Sequence, residues 1–119
     1  MTKKDWKDRI RTSTEEAGTY QPFFDDIIDT LAGIMEKRDR TERQFEETGG
    51  NAVIQHTNKG GNTNLVKNPL LVMVNDLNST ALAYWKELGL TSKAFVQMKK
   101  NGFEKKEATF EDLLKDIGI

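Results

Sequence analysis

The chain contains no cysteine, a single histidine and two prolines in 119 residues. Without cysteine there is no disulfide framework, no thiolate metal site and no cysteine nucleophile, which fits a reducing compartment. No stretch approaches the roughly 20 apolar residues that a membrane span needs, and the first residues lack the apolar segment of a signal peptide. These absences predict a soluble, intracellular protein with no membrane partner.

Motifs that would identify an enzyme are also missing. Lys59 and the two glycines after it lack the rest of a nucleotide-binding loop, so they indicate a glycine turn. His56 has no cysteine or second histidine beside it to complete a metal site. Asp25, Asp26 and Asp29 fall in the first turns of a predicted helix, where the helix dipole favours anions. We therefore predict a protein that is not an enzyme, with no catalytic residue, no metal and no cofactor.

Charge is segregated along the chain, although the net charge is only −1. That net charge argues against a protein that coats nucleic acid over its whole surface. The N-terminal basic cluster consists of Lys3, Lys4, Lys7, Arg9 and Arg11. The second basic cluster consists of Lys37, Arg38, Arg40 and Arg43. Each cluster is either a binding surface for an anionic partner or a solvated helix face.

Hydrophobic periodicity predicts two helices in the first half of the chain. The first, from Thr2 to about Glu16, is short and weakly amphipathic, and would be marginal in isolation. The second begins at Pro22, a residue tolerated in a first helical turn, and continues to about Glu47. Its second half is expected to be supported by ion pairs four residues apart, Glu36 with Arg40 and Asp39 with Arg43.

Periodicity disappears in the connection between Gly49 and Lys67, which is rich in asparagine and glycine. The only segments with residues typical of β-strands are Ala52–Ile54 and Leu65–Val66, so a small two-stranded ribbon is possible there. Connections of this length in compact domains tend to be functional or disordered. Three interpretations are open: a contact between subunits, which we favour, a DNA contact through Lys59 and Lys67, or a mobile segment.

Asn68 as an N-cap and Pro69 at the first helical position predict the start of the next helix. Leu88–Thr91 combines a glycine cap with a new N-cap, so a short helix is expected to follow and to end at Gly102. The apolar residues of the longer helix form a heptad-like seam that suits antiparallel packing on the Pro22 helix. The seam consists of Leu70, Val74, Leu77, Ala81, Tyr84 and Leu88.

These elements predict an all-α fold, a long antiparallel helical hairpin with short N- and C-terminal helices. Residues 1–19 are expected to form a basic N-terminal arm or short helix. Residues 20–100 are expected to form the hairpin core, with the glycine- and asparagine-rich connection at 48–67. Residues 101–119 are expected to form an acidic amphipathic segment whose apolar face needs a partner. That face consists of Phe110, Leu113, Leu114 and Ile117.

Three sequence segments carry a family resemblance, and in chain order these segments are HTNKGG, NLVKNPLL and ALAYWKELGLT. In these segments the chain resembles the phage terminase small subunits of the short helical branch. This resemblance implies a ring-forming homo-oligomer in the host cytoplasm that recognises packaging-initiation DNA. It also implies delivery of this double-stranded viral DNA to the large terminase subunit, whose ATPase and nuclease the small subunit modulates. The residues before Pro22 are too few for the separate helix-turn-helix domain of many small terminases, so several copies would assemble the DNA contact.

On this resemblance, the N-terminal basic cluster is the first choice for DNA binding, because a ring repeats a weak basic segment many times. The second basic cluster is the next choice, and ion pairing within its own helix is an equally good explanation. The apolar face of the C-terminal segment is expected to dock the large subunit or to pack back on its own ring.

Two other functions remain open. A small helical transcription regulator would use Leu88–Gly102 as its reading element, although the residues there offer few polar groups to base edges. An oligomeric adaptor without nucleic acid would associate through the heptad-like seam.

Overall fold

The computed structural model describes residues 1–102, which are mostly helical, as expected. None of the helices in this range is both long and apolar enough to cross a membrane. In chain order the elements are α1 (Lys3–Ala17), a 3₁₀ turn (Pro22–Phe24), α2 (Asp25–Glu47), β1 (Val53–Thr57), β2 (Thr63–Lys67), α3 (Pro69–Glu87) and α4 (Ser92–Lys100). The two strands pair as an antiparallel ribbon. The all-α prediction is therefore corrected by this ribbon, and the predicted C-terminal helix lies outside the described residues.

Helix α1 is closed at both ends by interactions that its sequence encodes. The Thr2 hydroxyl accepts a hydrogen bond from the Asp5 N–H at 3.2 Å, and the Asp5 carboxylate accepts one from the Thr2 N–H at 3.1 Å. This capping box lowers the pKa of Asp5, because the hydrogen bond from the Thr2 backbone favours the charged carboxylate. At the other end Gly18 adopts φ of 74°, which glycine reaches without strain.

The other helix boundaries predicted within the described residues are confirmed, except for the start of the helix at Pro22. Asn68 accepts a hydrogen bond from the Leu70 N–H at 3.0 Å and thereby caps α3, with Pro69 in its first turn. Thr91 caps α4, and Gly89 closes α3 with φ of 70°. Pro22 begins a 3₁₀ turn rather than the α-helix itself, which starts at Asp25.

Helices α1 and α3 both pack on α2. The Lys3 N–H donates to Glu36 while Lys7 reaches Asp29, so α1 runs opposite to α2. Thr41 in α2 contacts Met73 early in α3. The chain before α2 meets the end of α3, where Thr19 donates to the Leu88 carbonyl at 3.1 Å. The core contains Trp6, Ile10, Phe24, Ile28, Leu31, Ala32, Met35, Ala81 and Leu88.

The heptad-like seam of α3 is used inside the chain. Val74, Ala81 and Leu88 are buried, and Tyr84 packs against the core. Leu70 and Leu77 are only half-buried. An adaptor that oligomerises through this seam would therefore have only part of the seam available to a second copy.

The ribbon extends from the junction of α2 and α3. Its base is tied down where the Asn68 N–H donates to the Ala52 carbonyl at 2.8 Å and the Asn68 side-chain amide donates to the Asn51 carbonyl at 3.0 Å. Beyond that point Ile54 is the only strand residue that is even half-buried. The ribbon therefore projects from the helices, and none of the helices within residues 1–102 covers it.

Candidate nucleic-acid interface

The N-terminal basic cluster lies on α1, whose buried residues determine which side chains point outward. Trp6, Ile10 and Thr14 face the core. Packing of α1 on α2 divides the cluster between two flanks of the helix. Lys3 and Lys7 both reach one carboxylate of α2, that of Asp29, with N–O distances of 3.2 and 3.4 Å.

Asp29 thus acts as a shared anchor for two predicted DNA-binding lysines. The hydrogen bond from the Lys3 ammonium group lowers the pKa of Asp29 below its usual range, and the positive charge of Lys3 adds to this effect. Lys7 acts in the same direction. Both lysines remain nearly half-exposed. Because exposed ion pairs contribute little to stability, a phosphate can replace Asp29 as the partner of either lysine at small cost.

We expect the substitution Asp29→Asn to make stability less dependent on pH in the acid range. The folded-state pKa lies below the unfolded one, so the ionised carboxylate stabilises the fold above about pH 3.9 and this contribution is lost as the pH falls through the folded-state pKa. Urea unfolding at pH 7 and at successively lower pH values down to pH 2.5 measures this contribution. The variant should be less stable than the parent at pH 7, and this difference should shrink as the pH falls.

The control for that experiment is Asn101→Ala, at an exposed position that carries no titratable side chain. This control should leave the difference from the parent unchanged over the same pH range. If Asp29→Asn lowered the free energy of unfolding by the same amount at high and low pH, the ion pairs assigned to Asp29 would be contradicted.

On the other flank, Trp6 joins the two basic clusters. The Arg9 guanidinium lies 5.3 Å from the centroid of its ring, and the Arg38 guanidinium lies 5.9 Å away. The indole N–H donates to Asp39 at 2.6 Å, and Asp39 also accepts from Arg38 at 3.1 Å. Such cation–π contacts contribute roughly 0.5–1 kcal/mol each at exposed sites. The Trp6 ring therefore links Arg9 of the first cluster to Arg38 of the second, and Asp39 binds both Trp6 and Arg38.

Of the two ion pairs predicted within α2, one forms and the other does not. The predicted pair between Asp39 and Arg43 does not form, because Asp39 faces α1 and is occupied by Trp6, Arg38 and the N-terminal ammonium group at 3.5 Å. The predicted pair between Glu36 and Arg40 forms at 3.4 Å. Ion pairing within the helix thus accounts for part of the second basic cluster.

The clusters contain both paired and unpaired cations. Arg11 pairs with Glu15 at 3.2 Å and lies over the Tyr20 ring. Within residues 1–102, no carboxylate lies within ion-pair distance of four members of the two clusters. These members are Lys4, Arg9, Lys37 and Arg43. They are the cations most readily available to phosphates.

The other site residues have different positions. The apolar face predicted to dock the large subunit, Phe110 to Ile117, lies outside the described residues. In α2, Asp25 accepts a hydrogen bond from the Tyr20 hydroxyl at 2.9 Å, and Asp29 is held by lysines. Two of the three early aspartates therefore have structural partners.

Sequence reasoning did not identify the role of Trp6 or the capping box. The signal for the box was present, since Thr2 is followed three residues later by Asp5. For Trp6 there was no local signal, because its partners Arg38 and Asp39 lie on another helix. Only the packing of α1 on α2 brings them together.

A family model described as phage terminase, small subunit, matches residues 2–105, which include every helix and strand described above. No curated protein and no solved structure matches the chain.

Proposed function

The chain belongs to the phage terminase small subunit family, which supports a role in phage DNA packaging, and we propose that it binds double-stranded viral DNA at packaging initiation and recruits the large terminase subunit to that DNA. The match across residues 2–105 is the observation that carries this proposal. Nothing comparable favours a transcription regulator or an adaptor.

The DNA contact is made through the N-terminal basic cluster, with Arg38 of the second cluster beside it. Arg9 and Arg38 share the Trp6 ring, so the two clusters act as one continuous cationic surface. Lys4 adds a charge that is free of ion pairs within residues 1–102. Because the affinity for DNA grows with the number of phosphates neutralised, this surface is weak in one copy and strong in an assembly.

The assembly is a ring of identical subunits, and the outer face of α3 is the surface best suited to the contact. Val72 and Leu82 are 41% and 48% exposed on this helix. Only Asp76, Lys86 and Glu87 are charged in the whole of α3, whereas α1 and α2 are heavily charged. The buried centres of protein interfaces are depleted in charge in the same way.

The large subunit supplies the ATP hydrolysis and DNA cleavage in the host cytoplasm, and this chain positions and regulates it without catalysis of its own. The acidic C-terminal segment provides the docking face, with Phe110, Leu113, Leu114 and Ile117 as its apolar anchors. A sequence segment that places an apolar face in a groove of its partner is a common form of such an anchor.

We expect a chain that ends at Ala108 to bind DNA with unchanged affinity but to lose its effect on the large subunit. The truncation removes the docking face and leaves both basic clusters intact. DNA affinity and the ATPase rate of the large subunit, with viral DNA present, measure the two activities separately.

A second variant tests whether the apolar face itself is responsible. It replaces Phe110, Leu113, Leu114 and Ile117 with alanine and keeps every acidic residue. Both variants should fail to alter the ATPase rate. Undiminished stimulation by the chain that ends at Ala108 would rule out docking through this segment, and stimulation lost only in the truncated chain would assign docking to its acidic residues.

A further inference from the structure

The strand register divides the ribbon into two chemically different halves. Val53 pairs with Lys67, Ile54 with Val66 and Gln55 with Leu65, and these pairs form the ribbon base. His56 pairs with Asn64 and Thr57 with Thr63, and these pairs with the loop between them form the ribbon tip, His56–Asn64. All the large apolar side chains of the ribbon belong to the base. The tip carries only polar and basic side chains and glycine.

The loop of the tip has a defined geometry. The Asn58 side-chain oxygen accepts hydrogen bonds from the N–H groups of Gly60 and Asn62, both at 3.0 Å. Gly61 adopts φ of 80°, which suits the last position of a three-residue hairpin loop. The Asn58 N–H donates to the Asn62 carbonyl at 2.9 Å and closes the loop. A loop that is ordered in advance loses less entropy when it binds a partner.

The hydrogen-bonding side chains of the tip are largely unused. Among the described residues, the side chains of His56, Asn62 and Asn64 make no hydrogen bond, whereas the hydroxyls of Thr57 and Thr63 bond to each other at 3.1 Å. Every residue of the tip is exposed. The tip therefore presents two free amides and an imidazole to whatever lies beyond it.

The charge of the ribbon and its flanking residues limits which kind of molecule can bind the tip. No acidic residue occurs from Thr48 to Asn75, although the chain has 19 acidic residues. Lys59 is the first residue of the three-residue loop, and Lys67 belongs to the ribbon base. A second copy of this chain would gain little apolar burial from the tip, because the tip has no apolar side chain to bury. A polyanion with exposed donors and acceptors matches both the charge and the unused amides.

We propose that the ribbon tip enters the major groove of DNA and contacts base edges through Asn62 and Asn64, with Lys59 on a phosphate or a guanine. The major groove is about 12 Å wide and accepts a two-stranded ribbon, and asparagine is suited to paired hydrogen bonds with adenine. This inference rests on the proposed function and extends it. The basic clusters supply affinity for the phosphates, and the ribbon tip supplies preference for a sequence.

A cross-linking experiment tests the contact directly. The chain has no cysteine, so Gly60→Cys creates a single labelling position at the tip. A Cβ at Gly60 would meet only the Asn58 side-chain oxygen, at 3.4 Å, so the loop accepts the change. With a photoreactive maleimide on that cysteine and a random-sequence 40-base-pair duplex, we expect protein–DNA adducts. The control Gln97→Cys, at an exposed position on α4, should give none.

A triple variant tests sequence preference. Lys59→Gln with Asn62→Ala and Asn64→Ala removes the proposed base contacts, and the matched control makes the same types of change outside the ribbon. The control is Lys93→Gln with Gln97→Ala and Asn101→Ala, at exposed positions in α4 and at its C-terminal end. After selection from the random duplex pool, the parent and control should enrich a common sequence, and the tip variant should lose that enrichment by about 5- to 150-fold for each paired contact removed.

The outcomes separate this inference from the function on which it rests. Adducts between protein copies in place of DNA adducts would overturn the inference and assign the tip to a subunit contact. Equal enrichment by the tip variant and the parent, or no enrichment by the parent, would overturn base contact and leave the DNA-binding function standing. A parent that retains no DNA at all would overturn both.

Discussion

Replacing Lys3, Lys4, Lys7, Arg9 and Arg11 with glutamine is expected to abolish DNA retention by the full-length protein at near-physiological salt. Each phosphate contact that is lost should reduce the slope of log affinity against log salt concentration by about 0.9. Glutamine retains much of each apolar stem, so the packing of α1 is less disturbed than it would be by alanine. The measurement is a DNA-binding titration at several salt concentrations.

A narrower pair of variants isolates the charge effect. Lys4→Gln with Arg9→Gln removes two cluster cations that lack an ion pair within residues 1–102, and leaves the lysines on Asp29 in place. Lys93→Gln with Lys100→Gln removes the same charge from exposed positions on α4. The first pair should weaken binding and reduce the slope by about 2 for each bound copy, whereas the second should change neither. Equal losses from both pairs would show that net charge, rather than this surface, controls the affinity.

The second large effect is expected from Ile10→Ala, which should lower the free energy of unfolding by about 2–5 kcal/mol. Ile10 has no solvent-exposed surface and joins α1 to the core. A loss of this size is a large part of the roughly 5–15 kcal/mol that stabilises a typical domain. Since α1 would be marginal alone, its undocking should also separate Arg9 from Arg38 and weaken DNA binding.

Urea unfolding measures this loss, and Val96→Ala is its control. Val96 is 51% exposed on α4, so its truncation should cost less than about 0.5 kcal/mol. If Ile10→Ala cost no more than the control, α1 would be a detached arm rather than part of the core, and the joined cationic surface would have no support.

Helix ends were largely predictable from the sequence because capping is local. Asn68 before Pro69 and Gly89 before Thr91 carry their own conformational preferences, and the structure places boundaries at these residues. The mostly helical character followed from the spacing of apolar residues for the same reason. The ribbon was foreseen only as a possibility, since its two segments with residues typical of β-strands are short and its pairing depends on the loop at Asn58.

The candidate interface was less predictable because it depends on contacts between helices. Sequence spacing suggested that Asp39 would pair with Arg43, but the packing of α1 turns Asp39 towards the Trp6 indole. The same packing directs Lys3 and Lys7 to Asp29 and leaves Lys4 without an ion pair in the described part of the chain. The sequence could identify the basic residues, whereas their division into paired and available cations required the fold.

The most direct test of this account is the native mass of the purified full-length protein at near-physiological salt, measured alone and then with DNA. We predict a single closed assembly of many copies, because the cationic surface of one copy is too small to retain DNA and the outer face of α3 is poor in charge. A protein that remains a monomer or dimer alone, with DNA and with the large subunit would contradict the proposed ring and the multi-copy DNA contact built on it.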